Sequence, residues 1–168
     1  MDSKSYINYL YDRYCIYYNT NRNVNILNES IDIYAHFNDV YGRTLITQKD
    51  VIDMFETNEH CYVKKIENID MSSITAFTEF LKKAVDEFVQ PKKDHMCTYI
   101  TGVLVTECPI DENITQYVKK FKHSKSYFFS LHGWSEIRLL VVDPNNKNII
   151  TNRSAKKVIK FYNFFDKL

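Results

Sequence analysis

The chain has 168 residues, 45% of them hydrophobic and 26% charged, and its 22 Lys and Arg nearly balance its 21 Asp and Glu. This composition predicts one soluble globular domain spanning residues 1–168, and no apolar run is long enough to cross a bilayer. The charge is divided along the chain, because residues 1–112 carry a net −7 and residues 113–168 a net +8. Such a division can steer one face towards phosphates or an acidic partner, although the two halves could also simply neutralise each other across the fold.

The compartment is predicted from the start of the chain and from its cysteines. The opening MDSKSYINYL lacks a basic region followed by an apolar one, which argues against a secretory signal and favours an intracellular, reducing compartment, cytoplasmic or nuclear. The four cysteines form no CxxC pair and have no histidine at ligand spacing, so free thiols are favoured over a zinc site. The high content of Asn, Ile, Lys and Tyr is typical of an AT-rich genome, as in some viruses, low-GC bacteria and protists.

The first third of the chain predicts a helix followed by a hairpin. Ser3 can cap a helix whose apolar face comprises Ile7, Leu10, Tyr11, Tyr14, Tyr17 and Tyr18. Residues Ile31–Phe37 alternate between apolar and polar, as in a half-buried strand, and Asn38–Gly42 supply turn residues before a returning strand, Thr44–Thr47. A helix over Ile31–Tyr41 is an alternative reading of the same stretch.

The middle of the chain predicts two helices and a strand. The spacing of Val51, Ile52 and Phe55 indicates a short helix over Gln48–Glu56, and Cys61–Ile66 is a candidate strand. Ser72 or Ser73 can cap a long helix with one apolar stripe, formed by Ile74, Phe77, Leu81, Ala84, Val85 and Phe88.

The last 70 residues predict a βαβ unit and a terminal helix. Tyr99–Thr106 is apolar enough for a central strand, Asp111 can cap a helix, and Tyr127–Leu131 would be the second, parallel strand. After a turn at His132–Trp134, further strands are expected at Ile137–Val142 and Ile149–Thr151. Ser154 can cap a last helix that buries Val158, Phe161, Tyr162 and Phe165. The chain is therefore predicted to have an α/β fold with a mixed central sheet of about five or six strands flanked by helices.

The leading helix, the strand with Asp32, the segment Leu45-Ile46-Thr47-Gln48-Lys49, the long helix and the βαβ unit resemble the restriction-endonuclease-like fold, especially Mrr-type nucleases. The resemblance implies an acidic residue on one strand, Asp32, and a (D/E/Q)xK motif on the next, ending in Lys49, which bind Mg²⁺ and activate water. Gln48 stands one position late, so the second metal ligand is missing. Asp32 could instead be a solvated strand residue, and Lys49 an ordinary helix residue.

A second resemblance to the same fold concerns a protein without catalytic activity. The segments ITQKDVIDMF, CYVKKI, SITAFTEFLKKAV, TGVLVTE and IRLLVVD resemble the jaw domain of the fifth subunit of eukaryotic-type RNA polymerases. This resemblance implies a non-enzymatic module beside DNA in a transcription complex. That subunit also carries a separate C-terminal assembly domain, for which these 168 residues have no counterpart.

Basic residues near the C-terminus are candidate phosphate contacts, and nearby aromatic rings could stack on bases. The candidates are Lys119, Lys120, Lys122, Lys125, Lys156, Lys157 and Lys160, with His123 and Arg153, and the rings of Tyr127, Phe128 and Trp134. The alternative is that these lysines solvate exposed helix faces. His132, Trp134 and Glu107 stand at strand ends, where α/β folds place ligand groups, but a packing or surface role is equally consistent with their positions.

The function predicted from the sequence is a catalytically degenerate nuclease-like module that associates with nucleic acid or with a transcription or replication complex, without a cofactor. An alternative is an active Mg²⁺-dependent nuclease that uses Asp32 and Lys49, with Glu29 as a further carboxylate. Another is a regulatory domain that binds protein and makes no contact with nucleic acid. The sequence has no P-loop, nucleophile elbow, HExxH or dinucleotide motif.

Overall fold

The structure, a computed structural model, describes residues 1–44, 51–93 and 95–164, and gives the backbone alone for 41–44 and 51–55. The described elements, in chain order, are α1 (Ser3–Tyr14), β1 (Asn19–Ile26), β2 (Glu29–Thr44), β3 (Val51–Ile66), α2 (Met71–Phe88), β4 (His95–Thr106), α3 (Glu112–Lys120), β5 (Ser124–Ser126), β6 (Trp134–Asp143), β7 (Asn148–Thr151), a 3₁₀ helix (Ala155–Val158) and α4 (Ile159–Tyr162). Among the described helices, none is both long and apolar enough to cross a membrane.

The strands form one mixed sheet in the order β1-β2-β3-β4-β6-β5, and β7 pairs with β6. The first three strands are antiparallel neighbours, whereas β3, β4 and β6 are parallel. Strands β5 and β7 both run antiparallel to β6, the former along its beginning and the latter along its end. The prediction of an α/β fold with a mixed central sheet is confirmed, and the main path has six strands.

Helices cover both faces of the sheet, so the molecule has three layers. On one face, α2 and α3 pack on residues such as Tyr62, Ile100 and Leu139. On the other, α1 and the C-terminal helical segment pack on residues such as Val63, Val103 and Leu140. The central strand β4 is buried along nearly its whole length because both layers cover it, as its apolar sequence predicts. At Gly102 of β4, an added Cβ would lie 2.3 Å from a methyl carbon of Leu81, so only glycine lets α2 approach this closely.

The parallel βαβ unit is present, but its second strand differs from the prediction. β4 and α3 are followed by β6, which contains the apolar run Ile137–Val142 and pairs in parallel with β4. The run Tyr127–Leu131, predicted as that strand, is instead a turn in which Phe128, Phe129 and Ser130 have φ of 48°, 52° and 67°. The apolar character of Tyr127–Leu131 and of Ile137–Val142 does not distinguish which run forms the parallel strand. Pairing with β4 from Trp134 to Val142 favours the second run.

Strands β2 and β3 form a hairpin much longer than the one predicted. The predicted turn Asn38–Gly42 is wrong, because β2 continues to Thr44 and pairs from Asn38 opposite Asn58 to Gly42 opposite Met54. The predicted helix over Gln48–Glu56 is also wrong where it is described, since β3 begins at Val51. The partner strand supplies the backbone hydrogen bonds that local turn and helix signals cannot anticipate. The helical alternative for Ile31–Tyr41 is wrong for the same reason.

Helix starts agree with the predictions at α3 and differ by one to three residues elsewhere. Asp111 caps α3 by accepting the backbone N–H of Ile114 at 2.8 Å, as predicted. Asp70 rather than Ser72 or Ser73 caps α2, and Asp2 rather than Ser3 caps α1. Ser3 is buried and donates to Oε1 of Glu107 at 2.5 Å. Ser154 makes no capping bond and donates to Glu136 instead, while Phe165, predicted to be buried, lies outside the described residues.

Candidate functional site

A groove with positive walls lies at the β6 side of the sheet, between the end of α3 and the segment that follows β7. One part, of about 440 Å³, includes residues of α3 and its C-cap together with Arg153 and Lys157. An adjoining part, of about 550 Å³, shares Lys119 and Arg153 with the first and adds Lys156. We call the two parts the basic groove, and its cations are Lys119, Lys120, Lys122, Arg153, Lys156 and Lys157.

The cations of the basic groove are exposed, and no carboxylate of the described residues forms an ion pair with them. Within residues 1–44, 51–93 and 95–164, none of the six forms an ion pair. Glu136, which also lines the groove, accepts a hydrogen bond from Ser154. Six positive charges and one described carboxylate, Glu136, line the two parts, so the groove keeps a net positive potential. The groove therefore suits a ligand with several negative charges.

Asn152 holds the two walls of the basic groove together. Its side chain is fully buried, and Oδ1 accepts the backbone N–H groups of Leu139 at 3.1 Å and Ala155 at 3.0 Å. Its Nδ2 donates to the carbonyl oxygens of Ile137 at 3.0 Å and Phe121 at 3.4 Å. One side chain thus connects the end of α3, strand β6 and the 3₁₀ helix. The sequence analysis missed it, because a single Asn after a strand carries no distinctive signal.

Five of the seven lysines predicted to contact nucleic acid line the basic groove, and two do not. Lys160 lines a neighbouring cleft together with Lys157. Lys125 forms an ion pair with Asp86, whose hydrogen bond raises the pKa of the lysine. His123 is half-buried and its Nε2 has no hydrogen-bond partner within the described part of the chain. Burial, and then the charge of Lys125, lower the pKa of His123, so it adds little positive charge at neutral pH.

A second cleft, of about 600 Å³, lies between the end of α1, strands β2 and β3, and α4. We call it the aromatic cleft; its walls are Arg13, Ile16, Tyr17, Tyr18, Phe37 and Phe161, and Glu59 contributes a carboxylate. The sequence analysis assigned Tyr17 to the buried face of the first helix. Because α1 ends at Tyr14, the Tyr17 side chain is instead 72% exposed.

Glu59 belongs to a buried network whose charge is balanced. Its Oε1 accepts hydrogen bonds from Arg138 Nη1 at 2.9 Å and from Thr101 Oγ1 at 2.8 Å, and its Oε2 accepts from the Tyr18 hydroxyl at 2.9 Å. The guanidinium carbon of Arg138 lies 3.4 Å from the centre of the Tyr99 ring. Burial is the main cause of the raised pKa of Tyr18, which stays a neutral donor. The aromatic cleft therefore has a polar but electrically neutral group at its Glu59 side.

Asp32 lies in a different charged region, where acids and lysines are paired. Lys64 Nζ lies 2.6 Å from Glu29 Oε2, and Lys65 Nζ lies 2.7 Å from Glu107 Oε1. The bond to Lys65 lowers the pKa of Glu107 and raises that of Lys65. We call Glu29, Asp32, Lys64, Lys65 and Glu107 the paired cluster.

The carboxylate of Asp32 has a structural role in the paired cluster. Its Oδ2 accepts the backbone N–H of Lys65 at 2.7 Å, and the pairing of β2 with β3 extends only as far as Ile33 opposite Val63. Asp32 thus satisfies a backbone donor at the point where the partner strand ceases to do so. The predicted partner Lys49 lies outside the described residues, as does Gln48.

The surroundings of Asp32 do not fit the Mg²⁺ site that the nuclease resemblance implies. In the described ranges, no three His, Cys, Asp or Glu side chains are placed to hold a metal ion together. Lys65, whose backbone N–H bonds to Asp32, is itself paired with Glu107 through its side chain. Strand β2, which carries Asp32, is separated from β6 by β3 and β4, so at a strand spacing of about 4.8 Å Asp32 lies at least about 14 Å from β6.

The rings predicted to stack on bases have different environments. Trp134 is half-buried against Tyr99, with ring centres 5.3 Å apart, and the Tyr127 hydroxyl is hydrogen-bonded to Ser135 Oγ at 2.8 Å. Phe128 is 65% exposed and stacks on His132. Rings that lie beside the predicted lysines are Phe121, which lines the basic groove, and Tyr18, Phe161 and Tyr162, which line one cleft with Lys157 and Lys160.

Comparison with known proteins identifies a family but no relative with an established activity. No curated protein and no solved structure matches the chain. The model of one family, described as a domain of unknown function (DUF8052), matches residues 2–164. Because this match covers nearly the whole sequence, the chain belongs to the family of the domain of unknown function DUF8052.

Proposed function

We propose that the protein is a catalytically degenerate nuclease-like module that associates with nucleic acid, within a transcription or replication complex, through the basic groove. The observation that carries the proposal is the convergence of six exposed cations, from two separate segments, on one groove in which no described carboxylate pairs with them. Such an arrangement favours a ligand whose negative charges are repeated along its length.

The chemistry of the groove favours a phosphate backbone over a small anionic metabolite. Metabolite sites usually enclose their ligand and fix it with a few precisely placed groups. Here the cations are long, exposed side chains, mostly lysines, spread along two connected grooves. Lysines of this kind neutralise successive phosphates and release counterions, which gives strong affinity with little sequence preference.

Two observations support the nuclease-like, degenerate part of the proposal. Apart from β1, the leading helix, the strand carrying Asp32, the long helix and the βαβ unit follow one another in the order of the resemblance, and the strand before the long helix, β3, begins after Lys49 rather than ending at it. Asp32, the residue to which that resemblance assigns metal binding, uses its carboxylate to hold the backbone of Lys65. Binding without cleavage is therefore the activity that we expect.

Binding is tested with a fluorescently labelled oligonucleotide of mixed sequence at about 100 mM salt. We expect the triple variant Lys119→Gln/Lys120→Gln/Arg153→Gln to bind at least about tenfold more weakly than the wild type, because three phosphate contacts are lost. The control Lys4→Gln/Lys83→Gln/Lys93→Gln removes the same charge from exposed lysines outside the groove and should bind nearly as well as the wild type. Equal loss in both variants would contradict a localised site.

Cleavage is tested with plasmid DNA and with RNA in the presence of Mg²⁺ or Mn²⁺. We expect no cutting by the wild type. Cutting that is abolished by Asp32→Ala and by Lys49→Ala would show that the protein is an active metal-dependent nuclease instead. If neither DNA nor RNA binds in a salt-sensitive way, the protein-binding alternative is favoured and the proposal fails.

A further inference from the structure

We propose that the aromatic cleft receives an unstacked nucleobase, so that the ligand of the basic groove is single-stranded nucleic acid. This inference rests on the function proposed above and adds the class of nucleic acid. It follows from the position of the aromatic cleft relative to the basic groove, from the exposed rings of the cleft, and from the charges that line the cleft and the groove.

A smaller cleft of about 280 Å³ lies next to both the aromatic cleft and the basic groove, since it shares lining residues with each. The smaller cleft shares Tyr18, Glu59 and Phe161 with the aromatic cleft. It shares Lys157 with the basic groove and adds Lys160, also exposed. A strand whose phosphates follow the lysines can therefore place a base among the rings without leaving the surface.

The walls of the aromatic cleft provide the flat surfaces on which bases stack. Tyr17 is 72% exposed, and the rings of Tyr18 and Phe37 lie with their centres 5.5 Å apart. The guanidinium carbon of Arg13 lies 4.7 Å from the centre of the Phe161 ring. Aromatic rings and arginine planes are the groups on which single-stranded nucleic acids stack their bases, with little dependence on sequence.

The aromatic cleft is lined by one described cation, Arg13, and the basic groove by six, so we expect phosphates in the groove and a base in the cleft. Its carboxylate, Glu59, is neutralised by Arg138 and would not attract a phosphate group. Oε2 of Glu59 accepts one hydrogen bond within the described part of the chain, from Tyr18, and a carboxylate oxygen can accept a second. A volume of about 600 Å³ lies within the range of ordinary ligand sites. The phosphates are expected on the side of Lys157 and Lys160.

A duplex fits this arrangement poorly. Its bases are paired and stacked, and turning one out costs a few kcal/mol that a single strand does not have to supply. The ring-lined cleft and the cation-lined groove together correspond to the combination by which proteins hold single strands.

The test compares three labelled ligands of the same length, about 12 nucleotides. They are a single strand, the corresponding duplex, and a strand of abasic sites that keeps the phosphates but has no bases. Each is titrated with the wild type and with two single variants, Tyr17→Ala in the cleft and Phe129→Ala as control. Phe129 is 96% exposed and does not line the cleft. The control therefore also replaces an exposed aromatic ring with a methyl group, but away from the cleft.

We expect the wild type to bind the single strand about five- to thirtyfold more tightly than the abasic strand, and more tightly than the duplex. Tyr17→Ala should lose part of the preference over the abasic strand without a change in thermal stability, whereas Phe129→Ala should keep it. Equal binding of single and abasic strands, or equal behaviour of the two variants, would overturn the base pocket while leaving the basic groove intact. Failure of all three ligands to bind would overturn the proposed function as well.

Discussion

The paired cluster and the basic groove contain the same kind of cation in opposite environments. In the paired cluster, Lys64 and Lys65 each have a carboxylate oxygen within 2.7 Å. In the basic groove, the six cations have no such partner among the described residues. The comparison shows that the positions of the carboxylates, rather than the number of lysines, determine which positive charges are available to a ligand.

The same difference determines whether a substitution is expected to change the stability of the fold or the affinity for nucleic acid. Buried polar groups and side chains that bond to the backbone support the fold, so their removal is expected to lower the free energy of unfolding. Unpaired surface cations contribute little to folding, so their removal is expected to weaken binding alone.

The largest effect is expected at Asn152, the residue that connects the walls of the basic groove. Asn152→Ala removes four hydrogen bonds and leaves buried backbone groups unpaired, which should lower the free energy of unfolding by about 3 kcal/mol. Binding to the oligonucleotide should also weaken, because the end of α3 is no longer held to the 3₁₀ helix. Urea unfolding and the binding titration together measure both effects.

The matched control for Asn152 is Asn145→Ala, in the exposed turn between β6 and β7. It should change neither quantity by a measurable amount. If Asn152→Ala destabilised the protein and the remaining folded protein bound with wild-type affinity, the groove would not depend on this connection.

The buried residue His60 is expected to make stability depend on pH, and it belongs to neither the paired cluster nor the basic groove. His60 stacks on His36 with ring centres 4.4 Å apart, and its Nδ1 is 2.8 Å from the Tyr34 hydroxyl. Burial, and secondarily the neighbouring His36, lower the pKa of His60 from 6.5 to about 4. The unfolded chain therefore binds more protons than the folded protein between these values, and stability must fall as the pH falls through this range.

The expected loss at His60 is about 3 kcal/mol of unfolding free energy between pH 6.5 and pH 4, measured by urea unfolding at several pH values. The variant His60→Gln cannot take up this proton, so its stability should depend less on pH across the same interval. Identical pH profiles for the two proteins would show that His60 is not the group responsible.

A smaller effect on stability is expected at Asp32. Its size distinguishes the structural role of this carboxylate from the catalytic role that the nuclease resemblance implies. Asp32→Ala leaves the backbone N–H of Lys65 without its acceptor, which should cost about 1–2 kcal/mol in urea unfolding. Affinity for the oligonucleotide should not fall, because Asp32 does not line the basic groove. Asp12→Ala, which removes an exposed acid from α1, is the control and should be neutral in both measurements.

The fold was predictable where local pattern and tertiary environment agree. The stripe from Ile74 to Phe88 predicts α2, and the apolar run Tyr99–Thr106 predicts the central strand, because both elements bury these residues. At Val51–Glu56, by contrast, Val51, Ile52 and Phe55 have helical spacing, yet this stretch pairs with β2 except at Ile52, where the register shifts. Pairing with the preceding strand outweighs a weak local preference for helix there.

The sequence predicted the lysines of the candidate site, but not that they line one groove. Lys119, Lys120 and Lys122 lie more than 30 positions from Lys156 and Lys157, and only the packing around Asn152 brings the two groups to one groove. The ion pair between Lys125 of β5 and Asp86 of α2 likewise depends on how these two elements pack. The rings of the aromatic cleft were missed because Tyr17 was assigned to a buried helix face, whereas the helix stops before it.

The most direct test of the contrast between the two regions is the slope of the logarithm of the binding constant against the logarithm of the salt concentration. We expect the slope of the groove variant Lys119→Gln/Lys120→Gln/Arg153→Gln to be less steep than that of the wild type by about 2 to 3, since each lost phosphate contact reduces it by roughly 0.7–0.9. The control Lys4→Gln/Lys83→Gln/Lys93→Gln should keep the wild-type slope. If both triple variants gave the wild-type slope, the unpaired cations of the basic groove would not be the phosphate-binding site.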